Sequence, residues 1–202
     1  MTAPSCFSRI DKVVELCRGL DVLDVGCVVN VDIFHARIVN AAKSALGLDI
    51  DGKGIERLRQ MGFEVVHGDA QNFCLDRKFD VIVCAEVMEH LKNPGAFLEC
   101  AKKHLRPNGR LVITVPNAYY THLLFHHSTV GEAYYWIFCE GTLRSLFEGF
   151  NYNVERIEYC DCLTQIFNPL LRKAASLFHR ISFKFKFSGA LLAVAKPRRG
   201  DE

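Results

Sequence analysis

Two rhythms of apolar residues alternate along this chain. "VLDV", "SALGLDI", "FEVVHGD", "FDVIVCAE" and "RLVITVP" are short apolar runs bounded by Gly, Asp or Pro. Such runs read as strands. Between them the spacing turns helical. A first helix is expected over roughly Ser5 to Arg18. Phe34, Ile38 and Ala41 or Ala42 mark a second helix, and Ile55 and Leu58 a third. Asn93-Pro94 reads as an N-cap with proline at the first helical position. Phe97, Leu98, Ala101 and Leu105 line the helix that follows, and "RPNG" is read as its end. Further on, "GTLRSLFEGF" predicts a short helix, "NVERIEY" a sixth strand and "GALLAVAKP" a seventh.

Strand and helix alternating from the start predict a mostly parallel sheet covered on both faces. The continuous apolar run of "FDVIVCAE" fits a strand buried on both sides. In such a sheet ligands bind beyond the carboxyl ends of the strands, where the strand order reverses. Function is therefore expected at Gly26, Asp49, Asp69, Ala85 to His90, and from Asn117 onward.

Composition adds bounds. The 202 residues suit a single domain with a real core. No apolar run approaches the ~18 residues of a membrane span, and "MTAPSCFSRI" lacks a basic-then-apolar leader, so a cytoplasmic protein is expected. The nine cysteines are scattered, with no CxxC, and read as reduced, mostly buried thiols rather than a zinc site. The net charge of +2 conceals an asymmetry. From Leu163 to Gly200 there are eight Lys or Arg and no acid, leaving 17 basic against 23 acidic residues elsewhere.

The first strand opens like a nucleotide-cofactor loop: "DVLDVGCVVNVDIFHARI" has an apolar strand, an acid and then Gly26. A dinucleotide loop needs G-x-G-x-x-G for its pyrophosphate. Val28 and Val31 occupy the next two required positions, which speaks against NAD or FAD. S-adenosylmethionine (SAM) has no phosphate. It needs a close backbone turn, a carboxylate for the ribose diol and polar contacts for adenine. Asp49 stands 23 residues after Gly26, near the ~20 expected of a ribose acid. Asp69 in "HGDA" is placed to reach the adenine edge, and Asp24 to orient the methionine ammonium through water. Taken singly, Asp49 and Asp69 read equally well as turn acids. Their joint placement at successive strand ends favours the ligand.

These segments resemble the class I SAM-dependent methyltransferases, in the group that acts on small molecules. The resemblance runs from about Val22 to Tyr159 and is most specific in "FDVIVCAEVMEHLKNPGAFLECAKKHLRPNGRLVITVPN". It implies a Rossmann-like α/β fold, with a seven-stranded, mostly parallel sheet whose last strand is antiparallel. It gives the methionine-loop role to Gly26, with Cys27 beside it. The ribose role falls to Asp49, with Ile50, and the adenine role to Asp69, with Ala70. Ala85 and Glu86 form the pocket wall. The departure is the loop itself. The family usually writes D-x-G-C-G-x-G, whereas this chain resembles a branch with a longer, glycine-poor loop followed by a histidine near an arginine, here His35 and Arg37. The alternative is a degenerate relative that keeps the fold without catalysis.

Methyl transfer is an in-line displacement, accelerated largely by alignment. A base helps when the acceptor is a hydroxyl. His90 in "EVMEHL" is the candidate base, since histidine titrates near neutral pH; Glu89 and His90 read equally well as residues that order the loop before Asn93-Pro94. The stretch "NAYYTHLLFHHSTVGEAYYWIF" holds five Tyr or Trp and three His. It is read as a lid and acceptor pocket over about 118–138. Relatives often carry a histidine near Tyr134 and this chain does not, so no relative's substrate is carried over. His122, His126 and His127 have only Glu132 as a nearby acid, and no metal is expected. The absence of a basic stripe in the first 160 residues speaks against nucleic acid.

One insertion remains, about 163–181, between strands six and seven. After Asn168-Pro169, Leu170, Leu171, Ala174, Leu177, Phe178 and Ile181 fall within an arc of roughly 120° on a helix. Arg172, Lys173, His179 and Arg180 occupy the rest. Such a helix either packs its stripe on the domain or lies in an anionic membrane interface. In the second case 169–187 would make a peripheral membrane contact and present a lipid-linked acceptor. The oligomeric state is not legible in the chain.

Overall fold

The structure is a computed structural model that describes residues 9–29, 31, 34–119, 134–160 and 188–198. Seven strands form one sheet: β1 (Asp21–Val25), β2 (Ser44–Asp49), β3 (Val65–His67), β4 (Phe79–Ala85), β5 (Leu105–Pro116), β6 (Tyr152–Cys160) and β7 (Ala190–Pro197). Their spatial order is β3-β2-β1-β4-β5-β7-β6. The pairs among β3, β2, β1, β4 and β5 are parallel. Strand β7 slots between β5 and β6, antiparallel to both. The expected antiparallel last strand is present, and the order reverses between β1 and β4.

Helices α1 (Arg9–Cys17), α2 (His35–Ala41), α3 (Gly52–Gln60), α4 (Pro94–His104) and α5 (Glu140–Gly149) surround the sheet. Every residue of β1 is buried, as a strand covered on both faces requires. Its side chains divide by the pleat. Val22 joins Val13, Val14 and Ile38 on the α1/α2 face. Leu23 and Val25 join Phe97, Leu98 and Phe147 on the α4/α5 face. Asn93 caps α4 as expected, its side chain accepting the Ala96 N–H at 3.1 Å. Helix α1 is helical from the first described residue, Arg9, and the expected start near Ser5 lies outside the described residues.

The turn "RPNG" departs from its expected role. Helix α4 has already ended at His104, and the chain runs extended from Leu105. Phe79 pairs with Leu105, but Val81 pairs with Arg110, so the Arg106-Pro107-Asn108-Gly109 stretch is a bulge inside β5. Proline supplies no ladder donor, and such residues gather at bulges.

The amino-terminal edge of the sheet is a closed ionic network. Arg106 Nη1 lies 2.7 Å from both Asp21 Oδ2 and Asp80 Oδ2. The Ser44 hydroxyl donates to Asp21 Oδ1 at 2.7 Å, and the Asp21 N–H to Asp80 Oδ2 at 3.0 Å. The Ser44 hydroxyl first, and then Arg106, hold the Asp21 carboxyl below its ordinary range. Burial pushes Asp80 up, but the Asp21 N–H and Arg106 outweigh it, and Asp80 too lies low.

Most of the lid (residues 120–133) and the whole insertion at 161–187 lie outside the described residues. The histidine cluster and the amphipathic helix read from the sequence fall there. Among the described residues no helix is long and apolar enough to cross a membrane.

Candidate functional site

The opposite, carboxyl edge of β1 to β4 is hollow. Two adjoining cavities, of about 410 and 500 Å³, share Gly26, Asp49, Val87 and His90. Both volumes are in the range of small-molecule sites. Ile50, Asp69, Ala70, Gln71 and Tyr135 line the first. Arg9, Phe34, Ala85, Glu86 and Thr114 line the second. Eight of the ten residues singled out from the sequence therefore border one cleft: Gly26, Asp49, Ile50, Asp69, Ala70, Ala85, Glu86 and His90.

Asp24 and Cys27 do not. Asp24 is 1% exposed and lies two residues on from Val22, so the pleat turns it to the α2 face. There its Oδ2 meets His35 Nδ1 at 2.8 Å. Burial pushes the Asp24 carboxyl up, with His35 opposing. Its expected reach toward an ammonium in the cleft is not what this geometry provides. The Cys27 side chain is buried with Val28, Ile55 and Leu58 beneath α3.

Gly26 marks the tightest point. Its φ is +85°, and a Cβ there would collide with Val87 Cγ2. Only glycine accepts both conditions. The valine that replaces the next glycine does not block the cleft. Val28 turns its side chain onto Gly54 of α3, where a Cβ would collide with Val28 Cγ1. Its N–H donates to Asp49 Oδ2 at 2.9 Å, while the Asp51 N–H donates to Asp49 Oδ1 at 2.9 Å. Asp49 thus braces the loop at the end of β2 and keeps lone pairs for a further donor.

Asp69 is braced in the same manner. Its Oδ1 accepts the Gln71 N–H at 2.8 Å and the Gln71 amide at 3.2 Å. Gln71 Oε1 accepts the Asn93 N–H at 2.7 Å. One glutamine therefore links the loop after β3 to the cap of α4.

After β4 the backbone is strained. Glu86 has φ +56°, a conformation that costs a non-glycine residue on the order of 1–3 kcal/mol and gathers at functional sites. The Thr114 hydroxyl donates to Glu86 Oε1 at 3.0 Å, and Arg9 Nη1 lies 3.0 Å from the same oxygen. The short 3-10 turn Met88–His90 follows. The His90 ring stacks on Tyr134, with centroids 4.9 Å apart and planes 22° from parallel. Glu89 is 1% exposed, and neither carboxyl oxygen has a hydrogen-bond partner among the described residues. Burial first, and then the charge of Glu86, push its carboxyl up to about 8. A protonated acid thus sits beside His90, whose Nε2 is 4.0 Å from Glu89 Oε1.

Arg9, Gln71, Lys92 and Tyr135 were not singled out from the sequence, yet all four border the cleft. Gln71 adjoins "HGDA" and could have been flagged by that adjacency. Arg9 reaches the site only because α1 folds back over the end of β4, and no local pattern marks it.

The model of the family described as a methyltransferase domain matches residues 4–157. The chain is 32% identical over 133 residues to a ubiquinone biosynthesis O-methyltransferase of Pasteurella multocida, covering 54% of this chain and 52% of the relative. It is 29% identical over 122 residues to a mitochondrial ubiquinone biosynthesis O-methyltransferase of Schizosaccharomyces pombe, covering 53% and 44%. The chain thus spans about half the length of the curated relatives it matches. Among solved structures, it is similar in fold to a SAM-dependent methyltransferase of Archaeoglobus fulgidus. The TM-score is 0.67 at 18% identity, over 93% of this chain and 91% of that one.

Proposed function

This chain belongs to the methyltransferase domain family, and from that premise we propose that it transfers the methyl group of SAM to a hydroxyl of a small molecule. The observation that carries the reading is the row of Gly26, Asp49, Asp69 and Glu86 along one cleft. The residues fit the cofactor. Gly26 leaves a place beside Val87 that a Cβ would fill. Asp49 would hold the ribose diol by charge-assisted hydrogen bonds, and Asp69 the adenine edge. Arg9 and Glu86 together offer one positive and one negative partner to an amino-acid end that carries both charges.

Bound SAM supplies a methyl group already activated by its sulfonium. The protein's part is alignment, exclusion of water and proton removal. Val87 and Leu91 wall the cleft with apolar surface. His90 takes the hydroxyl proton, its ring steadied by Tyr134. Ile10, Val13, Val29 and Phe34 give the second cavity an apolar lining, which suits an acceptor with an apolar body. Two relatives are named for O-methylation in ubiquinone biosynthesis, and that supports an O–H acceptor here. A lipid-linked acceptor, delivered by peripheral contact of 169–187 with an anionic membrane, is the finer form of this reading. Attachment to acidic vesicles at low salt, lost at high salt, tests that form.

Titration calorimetry with S-adenosylhomocysteine tests the cofactor assignment. Binding is expected for the unmodified chain, and Asp49→Ala should lose on the order of 1.5–3 kcal/mol of it. His90→Ala should slow turnover of a hydroxyl acceptor by roughly 10²–10⁴ without unfolding the protein. Unchanged turnover across pH would remove the base role. Val28 at a glycine position favours a second reading, a binding protein of this fold without catalysis. Failure of the unmodified chain to bind at millimolar ligand would select it.

A further inference from the structure

The loop that leaves β1 at Gly26 returns at α2, and a buried polar contact joins its two ends. Asp24 Oδ2 and His35 Nδ1 are 2.8 Å apart, and both side chains are 1% exposed. The imidazole stands edge-on to Phe63, with centroids 5.2 Å apart. It is seated on bare backbone: a Cβ at Gly47 would come within 2.9 Å of His35 Cε1. The other ring nitrogen, Nε2, has no hydrogen-bond partner among the described residues. Burying a polar ring with one nitrogen unsatisfied is unfavourable. An apolar residue would fill the same space without that cost, so packing alone does not account for a histidine here.

The location gives the account. The Gly26 N–H donates to Leu48 O at 2.8 Å, which ties the loop's start to β2. The Ala36 N–H donates to Val31 O at 2.9 Å, which ties its end to α2. Between these points the Val28 N–H reaches Asp49. Where the family pattern has two further glycines that set the loop by their own turns, this chain has Val28 and Asn30. Its loop needs its ends fixed from outside.

We propose that Asp24 and His35 form a clasp that positions the cofactor loop, holding Gly26 against the cleft and the Val28 N–H on Asp49. Both are positioning residues, and the proposal rests on the SAM reading above. The hydrogen bond from Nδ1 to Asp24 is the working part; the ring's bulk is secondary.

Three variants test it: His35→Leu, which removes the donor; His35→Asn, whose amide lies where Nδ1 was; and Asp24→Leu, which removes the acceptor. Each is checked for cooperative thermal unfolding. Two quantities are read: the Kd for S-adenosylhomocysteine, and the hydrogen exchange of the Val28 amide in ligand-free protein. His35→Leu should raise the Kd about tenfold and lower Val28 protection by a similar factor. His35→Asn should restore both to within about threefold. A folded His35→Leu protein with unchanged Kd and unchanged Val28 exchange overturns the clasp. If His35→Leu does not fold, Asp24→Leu, which removes the acceptor, decides by the same two readings, and unchanged values again overturn it. Failure of the unmodified protein to bind S-adenosylhomocysteine defeats the SAM reading instead; the exchange measurement needs no ligand and still decides whether the clasp holds the loop.

Discussion

The two edges of this sheet treat their acids in different ways. At the amino edge Asp21 and Asp80 share Arg106, Ser44 donates to Asp21, the Asp21 N–H donates to Asp80, and both carboxyls lie low. At the carboxyl edge Asp24 and Glu89 are buried and pushed up, and Glu89 has no hydrogen-bond partner for its carboxyl among the described residues. The first edge is satisfied by the chain itself. The second bounds a hollow, where Asp49 keeps lone pairs that a ligand would use. Burial alone does not separate them, since Asp21 is 8% exposed and Asp24 1%. What separates Asp21 and Asp80 from Glu89 is whether hydrogen-bond partners were built in.

The contrast predicts opposite pH behaviour. Asp21 and Asp80 titrate lower folded than unfolded, so their stabilisation is present above about 3.8 and is lost as pH falls through the lowered values. Glu89 titrates higher folded than unfolded. The stability it allows is full below 4.5 and is lost as pH rises through about 8. The largest test follows. Glu89→Gln should remove a decline in unfolding free energy on the order of 3–5 kcal/mol between about pH 4.5 and 8, read by urea unfolding at both ends. An unmodified protein equally stable at the two would break the comparison.

Gly26→Ala should come next, acting on the hollow edge alone. Strain at φ +85° and the collision with Val87 should weaken S-adenosylhomocysteine binding roughly a hundredfold in a calorimeter. Arg106→Leu strikes the satisfied edge. The guanidinium is open to water, so its loss should lower the thermal midpoint only modestly at neutral pH. It should also raise the midpoint of acid unfolding, leaving ligand affinity as it was. The smallest effect belongs to Gln71→Leu. Releasing Asp69 should weaken S-adenosylhomocysteine about fivefold with little change in thermal midpoint.

The strands, the Asn93-Pro94 cap and the acids after β2 and β3 are legible because each is announced by neighbours in sequence. Asp24 is misplaced by that reading for a definite reason. Its position after an apolar run gives the strand end, but the pleat decides which face it takes, and His35 waits on that face. Glu89 reads as a loop acid because nothing local says it will be buried. Arg9 carries no sign of its distant partner Glu86. The glycine count describes the loop correctly and its consequence incompletely. Val28 is expected to crowd a phosphate, but its side chain leaves the cleft for α3. The space for it, and for Cys27, comes from Gly54 and Gly47, residues on other elements.

Val28 and Gly54 are in this respect a lock and its keyway, cut on separate segments. Gly54→Ala alone drives a methyl group into Val28, and Val28→Gly alone leaves a void under α3. Neither position can drift without the other, so the two should co-vary across any lineage that keeps this loop. For an engineer the consequence is practical. The cofactor loop is not a portable cassette, and transplanting a glycine-rich version means re-cutting the helix beneath it in the same step.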